Sequence, residues 1–369
     1  MYKVIHYHKD LFKPPKLQCL TALRQPKGRT KPSWTNSCPI DRTGVGNLLD
    51  MQYEAIPIVP NGWNKSFEQC SLECAEDLWN MGKPITVFYS GGIDSSVAWL
   101  ALLETKPDHL DLNAHYSYHS IEEFPELHEK TIKDPPLSSD QFFHGAKTLF
   151  ENHDILKVTG VCGDQIFLAG TGVSIGGKNY EVPDWQKQPW ESIFDSGLIE
   201  DKKTKLELSE LLFEQVADYI NTTFDLYWWL HFSLCWNHSD IPCIWTKTPA
   251  TKSTQAFFNT TDFQCWAIYN QINNPSIKMP GNADSYKQEA KEFIHKYFPN
   301  ETYRKYKLKE TSLKRPLKEA HDNEKIPEGQ IRRARHWTDD SLKLVLTDGR
   351  YWRMDDEIPQ DVLDQITLP

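Results

Sequence analysis

The sequence predicts an α/β fold, a doubly wound parallel sheet followed by a mostly helical region and a small β tail. Three observations carry that reading. Short β-rich apolar runs at 85–89, 112–118 and 154–159 alternate with helical segments, the pattern of parallel βαβ units. From 184 to 310 the pattern turns mostly helical, with apolar residues at 3.6 spacing in 205–222, 223–236, 262–273 and 284–298. At 337–354 two alternating runs flank Asp348-Gly349, a hairpin signal.

Taken in order, residues 1–64 are rich in Pro, Asn and Thr and have no long helical period. The short β-like runs Tyr2–Tyr7 and Ala55–Val59 suggest an irregular, β-containing N-terminal cap. Residues 65–81 read as a helix, with Ser66 able to cap it and Gly82 to end it. The 85–89 run stops at Ser90-Gly91-Gly92, and an amphipathic helix is expected from Ser95 to Glu104. Leu112–Tyr118 is a second strand, Glu122–Lys130 a short helix, Ser139–Asn152 another, and Asp154–Thr159 a further strand. The expected organisation is a cap over 1–64, an α/β domain over 65–310 (sheet part 65–183, helical part 184–310), and a basic linker with a C-terminal β-hairpin over 311–369.

At 369 residues, the sequence is long enough for one large or two medium domains. Apolar residues at 39% and charged residues at 25% suit a soluble globular protein. No apolar run approaches a membrane span, and no basic segment followed by an apolar one opens the sequence, so neither a membrane anchor nor a signal peptide is expected. The eight cysteines show no paired C-x-x-C framework, and Cys70 and Cys74, one helical turn apart, suit a core better than a metal site. Reduced cysteines in a cytoplasmic protein are therefore expected. The net charge of −10 opposes non-specific gripping of nucleic acid. The stretch 303–318 is nevertheless strongly basic, and Arg332, Arg333 and Arg335 follow it. It suits either a solvated face or a site for pyrophosphate or another polyanion.

The most specific string is Thr86-Val87-Phe88-Tyr89-Ser90-Gly91-Gly92-Ile93-Asp94-Ser95-Ser96. A strand, a glycine turn and a helix N-terminus suit phosphate. The glycines let the backbone approach the ligand, and the N–H groups of the first helical turn point at the anion along the helix dipole. Ser90, Ser95 and Ser96 add hydroxyl donors. Asp94 makes sense in such a cradle when a divalent cation lies between it and the phosphates. The string lacks the Gly-Lys-Ser/Thr ending of a Walker A loop. It resembles the PP-loop of the N-type ATP pyrophosphatases, which split ATP between its α and β phosphates. A second loop follows the third strand: Thr159-Gly160-Val161-Cys162-Gly163-Asp164-Gln165-Ile166-Phe167-Leu168-Ala169-Gly170. Asp164 could share Mg²⁺ with Asp94.

Together the two loops resemble the synthetase domain of asparagine synthetase and its relatives, including β-lactam synthetase. The family's PP-loop is followed by Ser-Gly-Glu-Gly-x-Asp-Glu and then Phe-Gly-Gly. The segment from Ser285 to Pro299 is similar to the family's Lys-containing helix ending in Tyr-Leu-Pro, and Arg304-Lys305-Tyr306-Lys307 to its Arg-x-Lys stretch. The resemblance runs from about 66 to 310. It implies a sheet of the adenine nucleotide alpha hydrolase-like type, with Ser90, Gly91, Gly92, Asp94, Ser95 and Ser96 holding the pyrophosphate of ATP and Gly160 and Gly163 near the nucleotide. Asp94 and Asp164 would bind Mg²⁺. Lys287 falls where the family places a lysine that stabilises departing pyrophosphate, a role suited to a compact fixed charge. Lys307 is a second catalytic candidate and Lys305 a lesser one.

The departures are specific. The family's glutamate in the second loop, which helps handle the incoming nucleophile, is Val161 here, and its later glutamate is Gln165. The stretch between Ser90 and Thr159 is shorter than the family's, so the wall between the loops is trimmed. Glutamine-using members open with a catalytic Cys after Met1 and carry a glutaminase domain, whereas this sequence opens Met1-Tyr2-Lys3. Ammonia or an amine is therefore expected from solution, a metabolite or a separate glutaminase.

The resemblance implies an ATP-dependent amide-forming ligase. A carboxylate attacks the α-phosphate, pyrophosphate leaves, and ammonia or an amine displaces AMP. Two other readings stay open. One is a PP-loop enzyme that adenylates a nucleobase or tRNA, favoured by the basic 303–335 stretch and opposed by the net charge. The other is a non-catalytic nucleotide sensor, favoured by Val161 and Gln165 and opposed by the intact first loop. The 184–275 helices would build the acceptor pocket. Trp185, Trp190, Trp228, Trp229, Trp236 and Trp245 are candidates to line it, with core packing expected for most.

Overall fold

A computed structural model describes residues 4–7, 11, 42, 55–138, 141–142, 145, 148–149, 152–167, 187–194, 202–214, 216, 219–234, 236, 253–274, 287–307, 342–346, 350–353 and 355–366. In chain order the elements are β1 (Val4–Tyr7), α1 (Phe67–Trp79), β2 (Ile85–Phe88), α2 (Ile93–Glu104), β3 (Leu112–His115), α3 (Tyr118–Glu123), α4 (Pro125–Thr131), β4 (Leu156–Thr159) and α5 (Gly163–Phe167). There follow a 3₁₀ turn at Trp190–Phe194, α6 (Lys202–Phe213), α7 (Thr223–Leu234), β5 (Thr254–Ala256), α8 (Thr261–Asn273), α9 (Gln288–Tyr297), α10 (Glu301–Tyr306), β6 (Leu342–Leu346), β7 (Tyr351–Arg353) and α11 (Gln360–Asp364). Among these helices none is long and apolar enough to cross a membrane.

The chain divides into two compact units. The one built from 57–169 and 240–335 holds a four-stranded, all-parallel sheet in the order β3-β2-β4-β5. The fold is thus mixed α/β. The central strands are buried, with Ile85, Val87, Leu156 and Val158 in the core and the buried Lys157 held by the Ile155 carbonyl and Ser253 Oγ. Ile85 pairs with Leu156, and Phe88 pairs with both Thr159 and His115, so the three strands end level. The chain goes from β2 to β3 on one side and reaches β4 on the other. The crevice at the carboxyl ends of β2 and β4 is therefore a topological switch point, where ligands of open α/β sheets bind.

The other unit, 1–56, 170–239 and 336–369, holds the antiparallel sheet β1-β6-β7. The expected hairpin is present as β6 and β7, and β1 pairs with β6. The β-like run in the N-terminal segment and the C-terminal tail therefore belong to one sheet, whose core is Leu344, Leu346, Val362 and Ile366. Trp228, Trp229 and Trp236 are fully buried around α7, where Phe232 stacks on Trp228. They serve packing. Trp190 meets Phe213 edge-on, and Trp185 and Trp245 lie outside the described residues.

Several boundaries differ from the sequence expectation, each for a local reason. Ala55–Val59 is irregular and not a strand; Pro57 and Pro60 remove ladder donors there. The 112–118 run leaves the sheet at His115, and Tyr118 already opens α3 with Ser117 as its extended cap. The helix expected over 122–130 is two helices, broken at Phe124, which precedes Pro125. A residue before proline avoids helical geometry, and Phe124 lies at φ −152°, ψ 72°. α6 stops at Phe213, short of 222, as the ladder tightens into i−3 turns from Val216 to Phe213 and from Tyr219 to Val216. Most of 139–152, the residues 168–183 and the basic 308–335 lie outside the described residues. β5 and α10 are additional elements. α1 forms as expected: Ser66 accepts from the Gln69 N–H while Gln69 reaches back to the Ser66 N–H, a full capping box.

His115 closes β3 with its ring stacked on Phe142 and its Nε2 2.9 Å from the Phe142 carbonyl. Because a carbonyl only accepts, Nε2 carries the proton. Burial pushes the His115 pKa below the ordinary imidazole value. The unfolded chain then binds more protons below that ordinary value, so stability is complete above pH about 6.5 and falls as the pH drops through the range below it. His128 is shifted in the same direction by burial. We expect the thermal midpoint to fall between pH 7.5 and 5.5, and the slope to be shallower in His115→Gln. A pH-independent midpoint would contradict this.

Candidate functional site

The first loop leaves β2 at Tyr89, which is buried, with its hydroxyl 3.5 Å from Ser96 Oγ. Burial pushes the Tyr89 phenol up. Gly91 takes φ +76°, and a Cβ added there would lie 2.2 Å from the Ser120 carbonyl oxygen and 2.8 Å from Glu123 Cβ. Glycine is required both by the left-handed backbone and by the close approach of α3. Gly92 is the extended N-cap of α2, and no side chain caps the helix. The helix therefore begins at Ile93, two residues before the expected Ser95, and Asp94 sits in its first turn.

The serines brace this turn. Ser90 Oγ accepts the Gly92 N–H at 3.3 Å and lies 3.0 Å from Ser95 Oγ. Ser95 Oγ donates to the Gly92 carbonyl at 3.1 Å. Ser96 is fully buried, and its N–H donates to the same carbonyl at 3.0 Å. The hydroxyls thus hold the loop's shape. The loop presents to an anion the backbone N–H groups of an uncapped first turn, which have no acceptor within their own helix, at the positive end of the helix dipole.

The second loop packs against the first. A Cβ on Gly160 would meet Ser95 N at 2.8 Å and Asp94 C at 2.9 Å; one on Gly163 would meet Asp94 Cγ at 2.5 Å. Both glycines serve the close approach of this loop to the start of α2. Between them Cys162, a buried non-glycine residue, is held at φ +70°. That strained turn places Asp164 in the first turn of α5, beside Asp94.

Lys287 joins the two loops. Its Nζ lies 2.6 Å from both Asp94 carboxylate oxygens and 2.8 Å from Asp164 Oδ1. Its side chain is 3% exposed. Lys287 is the N-cap of α9 and not a residue within it, and it adopts a left-handed conformation at φ 49°, ψ 44°. That strain is affordable only where surrounding contacts impose it.

On the β3 side, Lys307 Nζ lies 3.0 Å from Glu123 Oε2, with both side chains buried. Tyr303 lies under the loop, its hydroxyl donating to the Gly91 carbonyl at 3.5 Å and its ring stacked 3.8 Å from Phe124. Lys305 instead joins Arg304 in ion pairs with Glu301 on an exposed helix face. It is not brought to the loops. Cys70 and Cys74 are buried in α1, and burial pushes the Cys70 thiol up to about 12. These thiols are core residues.

Glu123 was not among the residues singled out from the sequence. Its only signal is topological: an acid on the short helix that follows the strand next to the glycine loop. No family model matches the chain, and neither does any curated protein sequence.

The two carboxylates that converge on one ammonium are hard oxygen donors suited to Mg²⁺, which keeps several waters and phosphate oxygens beside one or two carboxylates. Among the described residues there is no cluster of three or more metal-ligating side chains, so phosphate oxygens and water would complete such a shell. Lys287→Met places the two acids together without the ammonium. We expect a loss of about 3 kcal/mol in denaturant unfolding, and a larger rise of the midpoint with Mg²⁺ in this variant than in the unaltered chain. An unchanged midpoint would show that the contact carries no stability.

Proposed function

We propose that the protein is an ATP-dependent, amide-forming ligase of the PP-loop, asparagine-synthetase-like kind, with a doubly wound sheet of the adenine nucleotide alpha hydrolase-like type. The observation that carries this reading is Lys287 held jointly by Asp94 of the first loop and Asp164 of the second. Three residues distant in sequence, each assigned by the resemblance to pyrophosphate or its metal, meet at one point at the switch point of a parallel sheet.

The uncapped turn that begins at Ile93 binds the β and γ phosphates through backbone N–H groups. Lys287 supplies a fixed positive charge where negative charge grows on departing pyrophosphate. Asp94 and Asp164 would hold Mg²⁺, which would neutralise charge on the phosphate oxygens. The substrate carboxylate attacks the α-phosphorus, the bond to the bridging oxygen of pyrophosphate breaks, and the acyl adenylate forms. Ammonia or an amine then attacks the acyl carbon, losing a proton, and AMP departs. Val161 offers no carboxylate to take that proton, so the nucleophile arrives neutral or the substrate supplies its own base.

The reading predicts AMP and pyrophosphate from Mg-ATP in the presence of pooled small carboxylic acids, with amide formed when ammonium is added. Both products should vanish in Asp94→Ala, and Lys287→Met should lower turnover by about 10²–10³-fold. Tight ATP binding without cleavage under every acid pool would overturn the ligase reading in favour of a sensor. Cleavage only on addition of tRNA would move the acceptor to nucleic acid.

A further inference from the structure

We infer that Glu123 is a positioning residue that competes with bound polyphosphate for Lys307, and so sets how tightly pyrophosphate is retained in the Ser90–Gly92 loop. The inference rests on the reading of that loop as a polyphosphate site. Four observations carry it. Glu123 is 5% exposed and Lys307 6%, so the pair is shielded from solvent. The carboxylate lies over the loop: Gly91's Cβ position is 2.8 Å from Glu123 Cβ, and Gly92's is 3.7 Å from Glu123 Oε2. One carboxylate oxygen holds Lys307 at 3.0 Å. The other, Oε1, is buried and has no hydrogen-bond partner among the described residues.

A buried carboxylate with an orphaned oxygen is costly, and a carboxylate beside an anion-binding turn repels the anion. The arrangement is therefore poor as a device for stability alone. It is well suited to holding an ammonium at the rim of the loop. Lysine carries three donors on a flexible four-carbon stem, so Lys307 can turn from Glu123 toward a phosphate oxygen over a short distance. Whatever it gains there is reduced by what it loses at Glu123. Glu123 therefore lowers pyrophosphate affinity, and the lysine returns to its counter-ion as product leaves.

The test is calorimetric titration of the full chain with inorganic pyrophosphate and Mg²⁺, alongside Mg-ATP. Glu123→Gln keeps the side chain's shape and removes the rival charge; it should bind pyrophosphate about tenfold more tightly. Lys307→Met should bind about tenfold more weakly. The double variant should bind close to Lys307→Met, any small gain over it measuring direct repulsion by the carboxylate. A gain as large as Glu123→Gln gives in the lysine-containing chain would show repulsion alone and overturn the competition for Lys307. A purely structural Glu123 would give unchanged or weaker binding in Glu123→Gln, and that result would overturn the inference while leaving the phosphate reading intact. Should Glu123→Gln fail to fold, Glu123→Asp withdraws the carboxylate by one methylene; tighter binding supports the inference, and unchanged or weaker binding overturns it. Absence of both pyrophosphate and ATP binding in the unaltered chain would overturn the loop reading and this inference together.

Discussion

The ammonium of Lys287 between Asp94 and Asp164 is the contact on which the site depends. Two ionised carboxylates brought close together repel, and Gly163, which has no Cβ, packs directly on the Asp94 carboxylate and so permits the approach. The lysine resolves that repulsion at the cost of a left-handed backbone at its own position. Strain at Lys287 and Cys162, tight glycines at 160 and 163, and the uncapped start of α2 are thus parts of one arrangement. Each holds charge where the chain would not gather it unaided.

The loop at the carboxyl end of β2 has ionic groups on both sides. Toward β4 stand two acids and one lysine; toward β3 stand one acid and one lysine. The serines between them are spent on one another and on the Gly92 carbonyl. The loop's shape is therefore fixed by hydroxyls, while its electrostatics are set from its flanks. Beneath it the packing is aromatic: Tyr303 lies on Phe124, and Tyr89 meets Trp99 and Tyr116 edge-on. Buried rings give the loop a stiff floor, in keeping with a site that must present charges at fixed positions.

Much of the architecture was legible in the sequence because it is written in local terms. The capping box at Ser66 and Gln69, the alternation of short apolar runs with helical periods, and the glycine pair after β2 each act within a few residues. The errors have equally local causes. Pro125 divides a helix that periodicity joined, and Pro57 and Pro60 disqualify a strand that apolar content suggested. β5 is three residues long and is defined by its partner β4, so nothing in Thr254-Gln255-Ala256 alone could announce it.

The sequence by itself determined that the chain carries a strand–glycine turn–helix unit with an acid in its first turn, and that a second glycine loop with its own acid follows another strand. Tertiary structure alone decided which groups share a point in space. Pairing of β2 with both β3 and β4, ending level, brings the two loops and α3 to one edge. That is how Glu123, which no short motif marks, comes to lie over Gly91 and beside Lys307. Propensity and capping are properties of neighbours along the chain, whereas the sign and spacing of charges in a crevice follow from strand order and register, which only the packed sheet fixes.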